Sequence, residues 1–359
     1  MPRCVPALAL ALTFSALTLG VAAAAEPPKI SRPRPAPPTP PDVPPLPPAV
    51  IDNKLAVGGE DVRARKVETR LSVEVHVNGR GPYKFIVDSG ADTSAVGLRI
   101  AHALQLPLAT PAILNGMTSR ELVDRVKVDT LTLGPSTIRD LELPALREED
   151  VGGDGLIGID ALVQQRLMMD FEKRLIKVED ARKPPRTFSP DEIVITAKRR
   201  RGQLILTEVR SGRISLDAVI DTGAEISIGN LALRDKLLRR GRDRFWTVDA
   251  IGVTGVTIKL QLASVGELQL GPVTLRDVPI AFADVPPFAL FGLSNEPALL
   301  LGTDVLETFR RVSLDFKARK VRFQLRSCST QGFILRTSPD SFTRIRSSGS
   351  LEVCGRAAP

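Results

Sequence analysis

"KFIVDSGADTSAV", Lys84–Val96, places an aspartate at the end of an apolar run and follows it at once with Ser and Gly. The chain does so again in "DAVIDTGAEISIG", Asp217–Gly229. An apolar strand that ends on Asp-(Ser/Thr)-Gly-Ala is suited to holding a carboxylate. Glycine permits the tight turn and lets its N–H approach the acid. The Ser or Thr hydroxyl donates to a neighbouring group. The strand before it puts the aspartate in a low-dielectric setting, where a lone ionised carboxylate is costly.

Outward from these two stretches, the second half of the chain follows the first in the same order. "LGPSTIRDLELP" from Leu133 matches "LGPVTLRDVP" from Leu270. "LIGIDAL" from Leu156 matches "LLGTDVL" from Leu300, and "MDFEKRLIKV" from Met169 matches "LDFKARKVRF" from Leu314. Ordered matches with small insertions mark an internal duplication, and two copies predict a pair of lobes rather than a solenoid. Strand signals dominate both copies. "LSVEVHV" alternates with period two, and Asn78-Gly79 marks a hairpin turn. Short helices are expected in "TSAVGLRIAHALQL" and around "IDALVQQRL". The fold class is mainly β: an N-terminal lobe over 67–180 and a C-terminal lobe over 203–326, related by a pseudo-two-fold axis. The join falls in 181–202, through Pro184-Pro185 and the basic run "KRRRG", which reads as a solvated turn.

Duplication changes the arithmetic of the two carboxylates. Brought together across the axis, like charges about 3 Å apart cannot both ionise, so Asp88 and Asp221 would share one proton. One is then a base and the other an acid at the same pH. Hydrolysis of an amide by water needs that pair of roles.

Asp88-Ser89-Gly90 and Asp221-Thr222-Gly223, each followed by an apolar-apolar-Gly element ("LIG", "LLG"), resemble the active-site framework of aspartic proteases. The short lobes resemble the retropepsin-like branch, including its bacterial members, here duplicated in one chain as in pepsin. The resemblance spans about Val67–Leu325. It implies catalytic roles for Asp88 and Asp221, hydrogen-bonding support from Ser89 and Thr222, and loop-shaping roles for Gly90 and Gly223. It implies an extended peptide or protein as substrate, no metal or organic cofactor, and a monomer that is its own pseudo-dimer. It also implies hairpin flaps over the cleft. The candidate tips are Gly116, in Asn115-Gly116-Met117, and Gly252 and Gly255 in the second copy. Pepsin-like enzymes carry a flap tyrosine, but the only Tyr here is Tyr83, just before the first aspartate loop. Trp246 either lines the cleft or sits in the core, the usual place for Trp. Asp92 and Glu225, four residues past each aspartate, read as solvent-facing or helix-capping charges. The alternative function is a catalytically idle peptide-binding scaffold on the same fold.

The rest of the chain sets the context. "MPR", the apolar run Ala7–Val21 and "AAAA" before Glu26 match a secretory signal peptide over 1–25. The run is short for a membrane span, so the mature protein is expected to be exported, periplasmic or secreted, with no span. Glu26–Val50 holds 12 prolines, and 26–66 reads as an extended Pro-rich tether. The mature chain keeps Cys328 and Cys354, an even pair that points to one disulfide in the 327–359 tail or to two free thiols. His76 and His102 have no metal-ligand spacing. A net charge of +8 raises the question of nucleic acid, but aromatics are only 4% and no nucleic-acid-binding motif is present.

Overall fold

The structure is a computed structural model of the 359-residue chain. It describes residues 28–36, 60–63, 65–67, 70–134, 136–162, 165–180, 192–237 and 245–326, and two short strands at 335–336 and 346–347. The signal peptide over 1–25, much of the 26–66 tether, residues 181–191 of the join and the Cys328–Cys354 pair lie outside the described residues.

Each lobe is a sheet that closes on itself. In the first lobe the pairing runs through Arg120–Leu133, Ser136–Leu146, Ala95–Gly97, Gly155–Ile157, Arg80–Val87 and Arg70–Val77, then returns to the start. His76 opposite Thr132 closes the circuit. The second lobe repeats it with Thr257–Leu270, Val273–Phe282, Ile228–Gly229, Ala298–Leu301, Ile214–Ile220 and Gln203–Ser211, closed by Val209 opposite Leu270. Alternation builds the walls: Leu71, Val73, Val75 and Val77 are buried while Glu74 and His76 face out. The strands leading into the aspartates are different. Phe85, Ile86 and Val87 are all buried, as are Ala218, Val219 and Ile220, because these strands are covered on both faces. Each also pairs in parallel with the apolar-apolar-Gly strand, Ile157 opposite Val87 and Leu301 opposite Ile220.

A shared base sheet joins the lobes. Gln165–Asp170 of the first lobe pairs antiparallel with Arg311–Asp315 of the second. Leu175–Asp180 and Glu60–Arg63 extend one side, Lys320–Gln324 and Glu192–Arg200 the other. Two ion pairs cross the seam in two-fold fashion: Arg166 Nε to Asp315 Oδ2 at 2.9 Å and Arg311 Nε to Asp170 Oδ2 at 2.7 Å.

Four sequence expectations change. The segment 181–202 is not all connection. Glu192–Arg200 is a strand of the base sheet, because Ile195 and Ala197 alternate into the core. The basic run is not merely a solvated turn, since Arg200 donates to the carbonyl of Phe291 and Arg201 reaches Asp92 in the other lobe. The expected helices are shorter, Leu98–Ala103 and Ile159–Leu162, and the stretches read as helical also hold the strand Ala95–Gly97 and the start of Gln165–Asp170. Nor is the Pro-rich segment wholly unpaired. Arg34 and Pro35 stand opposite Leu122 and Glu121, and Ala36 N–H donates to the Arg120 carbonyl at 3.0 Å. Proline is tolerated there because an edge residue needs no donor on its outer side.

Candidate active site

Asp88 and Asp221 end equivalent strands, and the pseudo-two-fold sets their carboxyl groups together on one cavity floor, each against the loop glycine of the other. Asp88 Oδ1 accepts from Gly90 and Ala91 N–H, both at 2.9 Å. Asp221 Oδ1 accepts from Gly223 and Ala224 N–H at 3.0 and 3.1 Å. The glycines are dictated by proximity: a Cβ on Gly90 would lie 2.6 Å from Asp221 Cγ, and one on Gly223 would collide with Asp88 in the same way. The hydroxyls knit the loops together from below. Ser89 Oγ donates to the Ile220 carbonyl at 2.8 Å, and Thr222 Oγ1 donates to the Val87 carbonyl at 2.8 Å. Each oxygen also accepts the backbone N–H of the other, Ser89 N to Thr222 Oγ1 and Thr222 N to Ser89 Oγ.

Burial raises the pKa of both aspartates. For Asp221 the neighbouring Asp88 charge adds to it, and together they push the carboxyl up to about 7. Asp88 moves the same way, opposed by the N–H groups of Gly90 and Ala91 and by the positive charge of Arg70. The pair therefore holds a proton well above the ordinary carboxylate range.

The two further acids, read from sequence as surface charges, instead cross between lobes. Asp92 accepts from Arg201 Nη2 at 2.8 Å and from the Gln203 amide, both in the second lobe. Glu225 pairs with Arg70 Nε of the first lobe at 3.0 Å, and Arg70 also donates to the Val151 carbonyl. Arg70 and Gln203 open equivalent strands, so the two contacts are symmetry mates flanking the dyad. Sequence reading missed these basic and amide partners. They lie in other segments, and only the folded seam brings them near.

A cavity of about 270 Å³ lies over the aspartates. Its roof is two hairpins. Leu108–Asn115 and Arg120–Leu133 form the first, and Trp246–Ile251 and Thr257–Leu270 the second. Gly116, Gly252 and Gly255 fall at the tips, where they were expected, and line or border this cavity. The tips meet. Ser119 Oγ lies 3.0 Å from Thr254 Oγ1, and a side chain on Gly252 would strike the Thr118 hydroxyl. Met117 packs into the apolar cluster of the second lobe and Val253 into that of the first. The signal for this was a second small repeat, Gly116-Met117-Thr118 against Gly252-Val253-Thr254. Trp246 fits neither reading made of it. It begins an edge strand at the foot of the second flap, is 51% exposed and lies outside the cavity lining. Tyr83 is half-buried and packs against the core, away from the flap tips.

Two closed β lobes with paired aspartates at their junction and crossed hairpins above define a retropepsin-like architecture, duplicated within one chain. Residues 73–161 and 207–305, together more than half of the chain, match the aspartyl protease family. The chain belongs to that family. No curated protein matches it.

Proposed function

We propose that the protein is an exported aspartic endopeptidase whose catalytic dyad is Asp88 and Asp221. The observation that carries this reading is the convergence of the two carboxyl groups, each against the loop glycine of the other, at the floor of a roofed cavity. With one proton between them, one carboxylate takes a proton from a bound water. The resulting hydroxide attacks the peptide carbonyl carbon, while the other carboxyl gives its proton to the carbonyl oxygen. Collapse of the tetrahedral species breaks the C–N bond, with a proton passing to the leaving nitrogen. The products are a carboxylic acid and an amine.

The substrate is an extended peptide, because a cleft roofed by strands favours strand-like pairing. The chain supplies both aspartates itself, so a monomer suffices. The N-terminal apolar run and its small-residue end support export. The test is incubation of a denatured protein with the full mature chain across pH 3–8, beside Asp88→Asn and Asp221→Asn. Cleavage by the parent alone supports the reading. No cleavage by folded parent at any pH leaves the idle peptide-binding scaffold in its place.

A further inference from the structure

Two half-buried carboxylates outside the dyad have no part in the chemistry above. Asp160 and Asp304 follow the apolar-apolar-Gly elements of the two lobes and occupy equivalent positions. Asp160 Oδ2 accepts Ser94 N–H at 2.9 Å and its Oδ1 accepts the Ser94 hydroxyl at 2.7 Å. Asp304 treats Ser227 identically, at 2.9 and 2.7 Å. Both serines are fully buried. Each serine oxygen accepts in turn from a glycine N–H, Gly158 or Gly302, at 3.0 Å.

The location matters. Ser94 closes the loop that begins at Asp88, and Ser227 closes the one that begins at Asp221. The near end of each loop is fixed by its strand, and the far end by this serine. Gly158 follows the very strand that pairs with Phe85–Val87, so the clasp ties both ends of the loop to one strand. Between the ends run the N–H groups of Gly90 and Ala91, or Gly223 and Ala224, which hold the aspartates in place.

We propose that Asp160 and Asp304 are positioning residues for the dyad, each acting through its buried serine to fix the far end of its own aspartate loop. This rests on the peptidase reading for its kinetic consequence, though not for its structural one. A carboxylate is required because three donors converge on it in each lobe: the serine N–H, the serine hydroxyl and the N–H of Ala161 or Val305. An amide in its place turns an N–H toward one of those donors in either orientation, and a buried donor left without an acceptor is costly.

The two clasps sit beside different further ties. Ile159 N–H and Thr303 N–H both donate to the middle of their loops, at the Ala91 and Ala224 carbonyls. Thr303 adds its hydroxyl to the same Ala224 carbonyl at 2.9 Å, where the first lobe has Ile159. The first loop has ties of a different kind, Asp160 N–H to the Asp92 carbonyl at 3.3 Å and the Gln203 amide to the Gly90 carbonyl at 3.4 Å.

Charge completes the picture. The carboxylate facing Asp160 is Asp92, itself held by Arg201 and Gln203, and the one facing Asp304 is Glu307. Burial is the main reason both clasp carboxyls stand at about 6, with those neighbours adding to it. Protonation replaces an acceptor with a donor, so the clasps slacken as pH falls below that value.

The experiment compares Asp160→Asn, Asp304→Asn and Ser94→Ala with the parent in the full mature chain. It reads kcat and KM from pH 4 to 8, and amide exchange at Gly90 and Ala91. Expected is a fall in kcat of about tenfold for both Asp160→Asn and Asp304→Asn, with KM within about twofold, because sub-ångström misplacement acts on the chemical step. Exchange at Gly90 and Ala91 should quicken in Asp160→Asn and Ser94→Ala, and Asp160→Asn at neutral pH should resemble the parent at acid pH. Parent-like kcat, pH profile and Gly90–Ala91 exchange in the folded fraction would overturn the proposal even if thermal stability fell. Should Asp160→Asn fail to fold, Ser94→Ala decides by the same readouts. Should the parent cleave nothing, the exchange measurement alone decides it, independently of the peptidase reading.

Discussion

The two flaps are copies of one hairpin, yet among the described residues only the first is braced. Along Arg120–Leu122 the first flap pairs with Ile113–Asn115 on one side and with Arg34–Ala36 of the Pro-rich segment on the other. Ser31 N–H adds a bond to Asp124 Oδ2 at 2.7 Å, and Ile30 packs against the core. Along Thr257–Leu260 the second flap pairs, among the described residues, only with its own incoming strand, Val248–Ile251. The floor of the cleft shows the opposite tendency. Loop glycines, hydroxyl bridges and serine clasps there match bond for bond between lobes. Duplicated parts that must meet at the axis are held alike by mutual contact, whereas parts at the rim are free to diverge.

The largest test strikes the matched floor. Asp88→Asn and Asp221→Asn should each lower kcat by at least about 10³-fold, because neither carboxyl works without the other. A much milder loss at one of them would break the equivalence of the lobes. Next come the cross-lobe pairs. Arg70→Met removes a buried cation from beside half-buried Glu225 and its donor from the Val151 carbonyl, and should destabilise by about 3 kcal/mol. Arg201→Met should cost less, because Arg201 is more exposed and Gln203 still serves Asp92. Chemical denaturation of the two variants checks the order.

Acid chemistry separates floor from rim more gently. Asp221 at about 7, and Asp160 and Asp304 at about 6, all lie above the 3.8 of an unperturbed aspartate. The folded state therefore binds more protons than the unfolded chain between those values. The stability these groups contribute is fully present below about 4 and is lost as pH rises to about 7. Thermal unfolding across pH 4–8 should show this fall, and Asp221→Asn should flatten its upper part. Turnover should decline above about pH 7, where the dyad gives up its last proton. The smallest effect is at the brace. Ala36→Pro removes one N–H donor from the Arg120 carbonyl, a change worth about 1 kcal/mol. Amide exchange should quicken around Arg120–Leu122 and stay unchanged at Thr257–Leu260. Equal exchange in the two flaps of the parent would remove the asymmetry altogether.

Much of the site was legible in the chain because the duplication printed it twice. The dyad, its Ser/Thr-Gly neighbours and the flap glycines all carry local backbone demands, a tight turn or a close approach, that only certain residues meet. The aspartates of "LIGID" and "LLGTD" were visible as a repeat but carried no role, since their serine partners lie 66 and 77 residues away. Asp92 and Glu225 looked like surface charges for a related reason. Their partners Arg201, Gln203 and Arg70 belong to the opposite lobe. The basic run "KRRRG" misled because composition marks a charge cluster without showing which arginines find buried acceptors.

The sequence alone determined the two-lobed, mainly β plan and the residues at its centre, because period-two alternation and glycine turns are encoded within short windows and were written in duplicate. Only the tertiary structure decided how the lobes grip each other, which flap is braced and what holds the aspartate loops. Those contacts join residues far apart in the chain, and their pairing is fixed by burial and geometry once the sheets have closed.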